Sequence, residues 1–224
     1  LRFSYADRQI NKKEKNMNVK DSIRKRLNKS FAMISLVCSI GLVICGISLF
    51  VISSQYHNTL TNYGFAQGDI GKAMTTFSEA RSSLRAVIGY TDMNEIADEQ
   101  KDYETKKSAF EGYMADVEKT IVTKAGKDAY AQVESALNGY WTKADSILKQ
   151  GATTDNGASG AAQKKEIEEL LPMYDNVYAA LKNIMDINVT KGDEVQNTLN
   201  VLMYILIVLV VAIIAFSVYM STHL

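Results

Sequence analysis

The chain has 224 residues, 25 Lys/Arg balanced by 25 Asp/Glu, 47% hydrophobic residues and two cysteines, Cys38 and Cys45. So few cysteines exclude a disulfide-stapled scaffold, and an acidic centre without a basic, aromatic-laced surface excludes nucleic acid as a partner. There is no glycine-rich phosphate loop, no H-E-x-x-H and no G-x-S-x-G, and His57 and His223 stand apart from any cluster at metal-ligand spacing, so the chain is read as no enzyme, with no metal or cofactor.

Residues 1–30 come first, a segment with ten Lys/Arg against three acids (Asp7, Glu14, Asp21). Met17 opens NVKDSIRKRLNKS and reads as a start, which leaves residues 1–16 upstream of it. Residues 31–52, FAMISLVCSIGLVICGISLFVI, carry no charge. At about 1.5 Å per residue they span a hydrocarbon core of about 30 Å. The stretch is too long for a signal peptide and lacks a small-residue cleavage site, so it reads as a retained first transmembrane helix. Residues 53–200 hold the other 15 basic and 22 acidic residues, a net of −7. Residues 201–220, VLMYILIVLVVAIIAFSVYM, form a second uncharged span, and residues 221–224 begin an output region read as missing from the chain. The excess of Lys/Arg before the first span places both termini in the cytoplasm and residues 53–200 outside it, in a cell inner or plasma membrane.

The segment between the spans has one proline, Pro172, and reads as helix broken by Gly and polar clusters. A first helix continues from the membrane to about Gly89, with a stripe of Tyr56, Leu60, Tyr63, Ile70, Met74, Phe77, Leu84 and Ile88. A second covers about 95–122 with Ile96, Tyr103, Phe110, Met114, Val117 and Ile121. A third covers about 127–150 with Tyr130, Val133, Leu137, Tyr140 or Trp141, Ala144 and Ile147 or Leu148. Residues 151–162, GATTDNGASGAA, read as a loop with little to bury. A fourth helix runs from about Gln163 into the second span, with Ile167, Leu171, Tyr174, Tyr178, Leu181, Met185 and Val195 as its stripe. Four such helices predict an all-α, up-down-up-down four-helix bundle continuous with two transmembrane helices. Ala66, Ala73, Ala80 and Val87 recur every seven residues beside the first stripe. That ridge serves either the bundle itself or, as the favoured reading, a second subunit. Cys38 and Cys45 share a helix face and read as small apolar membrane residues or as a dimer contact.

Polar breaks in the stripes mark candidate chemistry. Arg81 lies about 42 Å up the first helix, level with the start of the fourth, and Arg85 is one turn higher on nearly the same face. Together with Tyr174, Asp175 and Tyr178 they form a predicted layer. Pro172 in that layer leaves the carbonyl of Glu168 without its usual donor. Paired guanidinium groups and tyrosine hydroxyls suit a small carboxylate or amino acid. The competing reading pairs Arg81 with Glu168, Glu169 or Asp175, or has it snorkel to the surface. Gln67 and Asn188 share a lower height, about 18 Å, and read as a buried polar pair fixing helix register.

Three stretches, NVKDSIRKRLN at 18–28, EARSSLRAVIGYTD at 79–92 and LKNIMDINVTKGDEVQN at 181–197, resemble the N-terminal sensory half of bacterial methyl-accepting chemotaxis receptors with a four-helix-bundle ligand-binding domain. The likeness covers about residues 17–224. It implies a homodimer that holds its ligand near the membrane-distal end of the bundle, with Arg81 and Arg85 meeting the ligand carboxylate and Tyr174 and Tyr178 at the same level. It also implies that a kinase and an adaptor act only through the missing output region. The expected function is detection of a small extracellular ligand, an organic acid or amino acid, directly or through a periplasmic or extracellular binding protein, with lipid around the spans and a conformational signal through the second span. The alternatives are the same module attached to a histidine kinase or cyclic-nucleotide enzyme, and a ligand-free structural or partner-binding stalk.

Overall fold

Polar caps set the helix boundaries in the computed structural model, which describes the backbone of residues 3–222 and the side chains of residues 23–222. The side chain of Met17, the basic side chains before Ile23 and His223 fall outside the described residues. The elements are α1 (Phe3–Thr59), a first π-turn (Leu60–Phe65), α2 (Ala66–Val87), α3 (Met93–Thr120), α4 (Lys124–Gly151), α5 (Asn156–Lys165), a second π-turn (Glu166–Leu170) and α6 (Leu171–Thr222). The Asp92 carboxylate caps α3 by accepting from the amides of Asn94 at 2.7 Å and Glu95 at 3.4 Å. Thr123 caps α4 through the Gly126 amide at 3.0 Å. Asp155 caps α5 by accepting from Gly157 and Ala158. Each side chain satisfies a donor that the first turn of a helix leaves open. The Ala158 and Gly157 amides hold the Asp155 carboxyl below the usual carboxylate range.

The chain divides into two units, residues 56–197 and residues 1–55 with 198–224. In the first unit the contacts run antiparallel at every pairing. Ser83 meets Asp102, Glu79 meets Lys106 and Phe77 meets Phe110 as α2 descends against α3. Tyr103 meets Asp145, and the Tyr130 hydroxyl reaches the Met114 carbonyl, along α3 and α4. Lys143 meets Glu169 and Tyr140 meets Tyr174 between α4 and the last helix. Ser78 meets Tyr174 and Arg81 meets Glu166, which closes the ring of neighbours. This is the expected up-down-up-down four-helix bundle.

Phe77 is the hub of its core. The ring is fully buried and touches aromatics from all three other helices: Phe110 at 5.4 Å, Tyr140 at 4.8 Å, Trp141 at 5.6 Å and Tyr174 stacked at 5.0 Å between centroids. Small residues on the same helix let the neighbours approach. Ala66, Ala73, Ala80 and Val87 are all fully buried inside the single chain. The seven-residue ridge therefore packs the bundle, and the reading that favoured a second subunit for it is corrected.

Three further expectations change. Residues 151–162 are not a loop throughout: α5 begins at Asn156, because Asp155 is a strong cap and the small residues that suggested a loop are what allow close packing. A Cβ on Gly151 would lie 2.8 Å from Ala162 Cβ and 2.5 Å from Ile88 Cγ2, so only glycine fits there. Tyr56 and Leu60 are exposed, 63% and 40%, and the buried stripe of the first helix begins at Ala66 after the first π-turn. In the last helix Leu170, Val177 and Ile184 are buried where the predicted stripe has Leu171, Tyr178 and Met185, and above them Glu166 is buried while Ile167 is 60% exposed. A π-turn takes one more residue per turn than an α-turn, so the face above it lags by one position.

In the other unit a Cβ on Gly41 would lie 2.2 Å from Ile213 Cδ1, and glycine is what lets the two apolar helices meet there. Cys38 Sγ lies 3.7 Å from Ser217 Oγ of the chain's own second apolar stretch, and both cysteines are half-buried. Phe50, Leu42 and Val208 are 76%, 73% and 67% exposed. Among the described residues two helices are long and apolar enough to cross a membrane by length and composition.

Replacing Phe77 by Ala removes the ring that four aromatics share. The expected loss is about 3–5 kcal/mol of bundle stability. Trp141 is the only tryptophan, so its fluorescence during denaturant unfolding reads that loss directly.

Candidate functional site

The upper end of the bundle is where α2 stops and α5 begins. Gly89 and Tyr90 both donate to the Ala86 carbonyl and close the last turn of α2. The Ile88 carbonyl is left for side chains to satisfy. Ser159 and Gln163 from α5 do so, with Ser159 Oγ at 2.5 Å and Gln163 Nε2 at 2.8 Å. Those two bonds dock α5 on the end of α2 and place its first π-turn residue, Glu166, against Arg81.

Glu166 is 2% exposed, a carboxylate in the core. Arg81 meets its Oε1 with both Nε, at 2.9 Å, and a terminal guanidinium nitrogen, at 2.8 Å. The guanidinium also lies 4.5 Å from the Tyr174 ring centre, a cation–π contact. Tyr174 is fixed in turn by stacking on Phe77 and by a 2.7 Å hydrogen bond with Ser78. Arg85 reaches the same carboxylate only at 3.9 Å and is 62% exposed. An open cleft of about 490 Å³ lies beside this pair, lined among others by Ser82, Arg85, Ala86, Gln163, Glu166 and Ile167.

Arg81, Arg85 and Tyr174 therefore come together as the sequence expects. Tyr178 sits one turn below, its ring 5.8 Å from that of Tyr174, 37% exposed and outside the cleft. Asp175 is exposed on the outer face of α6. The partner of Arg81 is Glu166, and not Glu168, Glu169 or Asp175: Glu168 pairs outward with Lys164, and Glu169 with Lys143. The hydrogen bond from Lys143 holds the Glu169 carboxyl below its usual range. Pro172 follows directly on the π-turn, in which the Leu171 amide donates to the Glu166 carbonyl.

Glu166, Ser159 and Gln163 escaped the sequence reading. Asp155 followed by small residues was the available signal, because an N-cap there starts a helix whose four-residue spacing Ala162, Glu166, Leu170 leads inward. The lower polar pair is corrected as well. Asn188 is buried, but its Nδ2 has no hydrogen-bond partner, and Gln67 lies half-buried beside Gly192, with Nε2 3.7 Å from where a Cβ would stand. The two do not bond, so they do not fix register as a pair.

Electrostatically the cleft offers the guanidinium of Arg85, with the Arg81–Glu166 pair forming the wall behind it. Only Arg85 presents its charge to solvent. Beside the ion pair the Tyr140 hydroxyl is fully buried without a partner. Burial pushes its pKa up, the charge of Arg81 acting against that, so it stays a neutral phenol. Among the described residues no three His, Cys, Asp or Glu stand together as a metal ion would need. The chain matches a family described as a four-helix-bundle sensory module for signal transduction, over residues 16–203. No curated protein matches it.

Two tyrosines separate a useful hydroxyl from an idle one. The Tyr103 hydroxyl donates to Asp145 at 2.8 Å, so Tyr103→Phe should lower stability by about 0.5–1.5 kcal/mol. Tyr140→Phe removes a buried hydroxyl that has no partner and should leave the denaturation midpoint unchanged or raise it. Denaturant melts of the two variants side by side check the contrast.

Proposed function

The chain belongs to the four-helix-bundle sensory modules of methyl-accepting chemotaxis proteins, and on that premise we propose that it detects a small extracytoplasmic ligand and passes a conformational signal inward through α6. The family match over residues 16–203 is the observation that carries this reading. The basic segment before residue 31 supports a cytoplasmic N-terminus and a bundle outside the membrane. The helix that sets Tyr174 against Arg81 is the one that continues through residues 201–220, so a displacement at one end has a covalent route to the other.

The ligand is a small carboxylate, an organic acid or an amino acid. Arg85 makes the first contact, because its guanidinium is exposed and its bond to Glu166 is long, and surface pairs of that kind hold a charge weakly. Arg81 and Tyr174 lie behind it, and Tyr178, one turn below and outside the cleft, backs the Tyr174 ring. A ligand shifts the balance between two arrangements of the helices only by as much as it binds one better than the other. The acting species is a homodimer, a reading that rests on the family, since the Ala66 to Val87 ridge is used inside one chain. The module has no enzymatic role of its own.

The test is the melting temperature of the full chain in lipid nanodiscs, screened against organic acids and amino acids. A ligand at about 100 times its dissociation constant adds about 2.7 kcal/mol of stability. Arg85→Ala should remove most of that shift and leave the melt without ligand nearly unchanged. A screen without a single shift sinks the small-molecule reading. A full shift in Arg85→Ala moves the site elsewhere.

A further inference from the structure

The second π-turn holds a charge in the core and leaves an apolar side chain outside. Glu166 is 2% exposed, and the next residue, Ile167, is 60% exposed at the edge of the cleft. A regular coiled-coil stripe repeats about every 3.5 residues. Traced upward from Leu181 it passes through Tyr174 and reaches Ile167. Leu170 still keeps the seven-residue spacing of Val177 and Ile184, and above it the buried positions are instead Glu166, Ala162 and Ser159. The extra residue in the turn has rotated the upper segment by one position, about 100° of helix. Two registers of one segment therefore compete. One buries Glu166 against Arg81, and the other would bury Ile167 and release Glu166 to water.

Few backbone bonds separate them. In the π-turn the Leu171 amide donates to the Glu166 carbonyl. In an α-turn it would donate to the Ile167 carbonyl instead. Pro172 has no amide hydrogen, so the bond that an α-helix would place at the next position is missing in both. Upstream, the four non-helical residues 152–155 can take up the displaced residue. Exposed surface pairs, such as Lys164 with Glu168, hold the segment weakly.

We infer that the second π-turn is a register switch, held in its present state by the Arg81–Glu166 ion pair and released to bury Ile167 when Arg81 is taken from Glu166. Glu166 is then an internal occupant of the arginine pair, and a carboxylate arriving at Arg81 is what would displace it. That coupling to a ligand rests on the sensor reading above. The switch itself belongs to the ligand-free chain.

Thiol labelling without ligand tests it, in the full chain in nanodiscs with Cys38→Ser and Cys45→Ser. Ile167→Cys should react fast with a charged methanethiosulfonate, and Ser159→Cys, 8% exposed at present, slowly. Adding Arg81→Met should slow the probe at 167 and speed the probe at 159, each by about tenfold or more. Unchanged rates at both overturn the switch, and so does acceleration at both, which is local unfolding. Should Arg81→Met fail to fold, deletion of the exposed Ala161 removes the extra residue directly. The probe at 167 should then become protected while the probe at 159 stays protected. A deletion chain that folds with 167 still fast overturns the inference as well. Because no ligand is present, failure here leaves the carboxylate-sensing proposal standing.

Discussion

A buried carboxylate is the constraint on which the upper half of the bundle depends. Glu166 is nearly sealed from water, and an ionised carboxylate in such a place survives only with a charged, well-placed partner. Arg81 supplies it with two nitrogens on one oxygen. Breaking a pair of this kind costs about 3–5 kcal/mol, because the remaining charge is stranded. The pair fixes the height of α2 against the π-turn. That in turn sets the phase of α5, so that Ser159 and Gln163 face the free carbonyl of Ile88. The α2 end, the π-turn and the α5 face are thus determined together.

Below that level the bundle is held by shape. Phe77 gathers rings from every neighbouring helix, while Ala66, Ala73 and Ala80 on the same helix let backbones approach. The alternation of one large hub with small residues is how a narrow four-helix core reaches interior packing density. The packing is not polished throughout. The hydroxyl of Tyr140 and the amide of Asn188 are buried without partners, each at a cost of about 1–3 kcal/mol. Both side chains lie in layers that contain α6 residues, Tyr174 for the first and Asn188 itself for the second.

The bundle and its four helices were legible because periodic stripes and caps are local signals. The stripes of α3 and α4 hold nearly residue for residue, from Ile96 to Val117 and from Val133 to Ile147. Arg81 and Arg85 were legible as polar breaks in an apolar face. What was not legible is the phase of the last helix: Val177 and Ile184 are buried in place of Tyr178 and Met185, and above Leu171 Glu166 is buried in place of Ile167. An α-period carried upward predicts Ile167 inside, and that is the choice apolar burial alone would make. The π-turn reverses it, and no single-residue propensity announces a π-turn. The identity of the Arg81 partner fell with the same error, since Glu166 faces inward only in the shifted phase. The small residues of 156–162 misled for a related reason: they look like a loop by composition, yet Asp155 starts a helix and Gly151 needs a small neighbour.

The placement of this irregularity has a physical consequence. A helix whose buried positions are all apolar is held in one phase, because rotation would bury its polar face and expose its apolar one. That describes α2 from Ile70 to Phe77. The last helix differs. Its buried positions include a carboxylate at 166 and an amide at 188, Pro172 lies exposed between them, and an isoleucine stands outside beside the carboxylate. Rotating its upper turns exchanges a buried ion pair for a buried apolar side chain. By itself that exchange strands Arg81 at a cost of about 3–5 kcal/mol, and a carboxylate that takes the place of Glu166 at Arg81 removes most of that cost. Two arrangements near in free energy are what any two-state element requires, and small differential contacts can then choose between them. The weakest phase of the bundle therefore lies on the helix that continues into residues 201–220, directly beside the arginines that a ligand carboxylate would approach first.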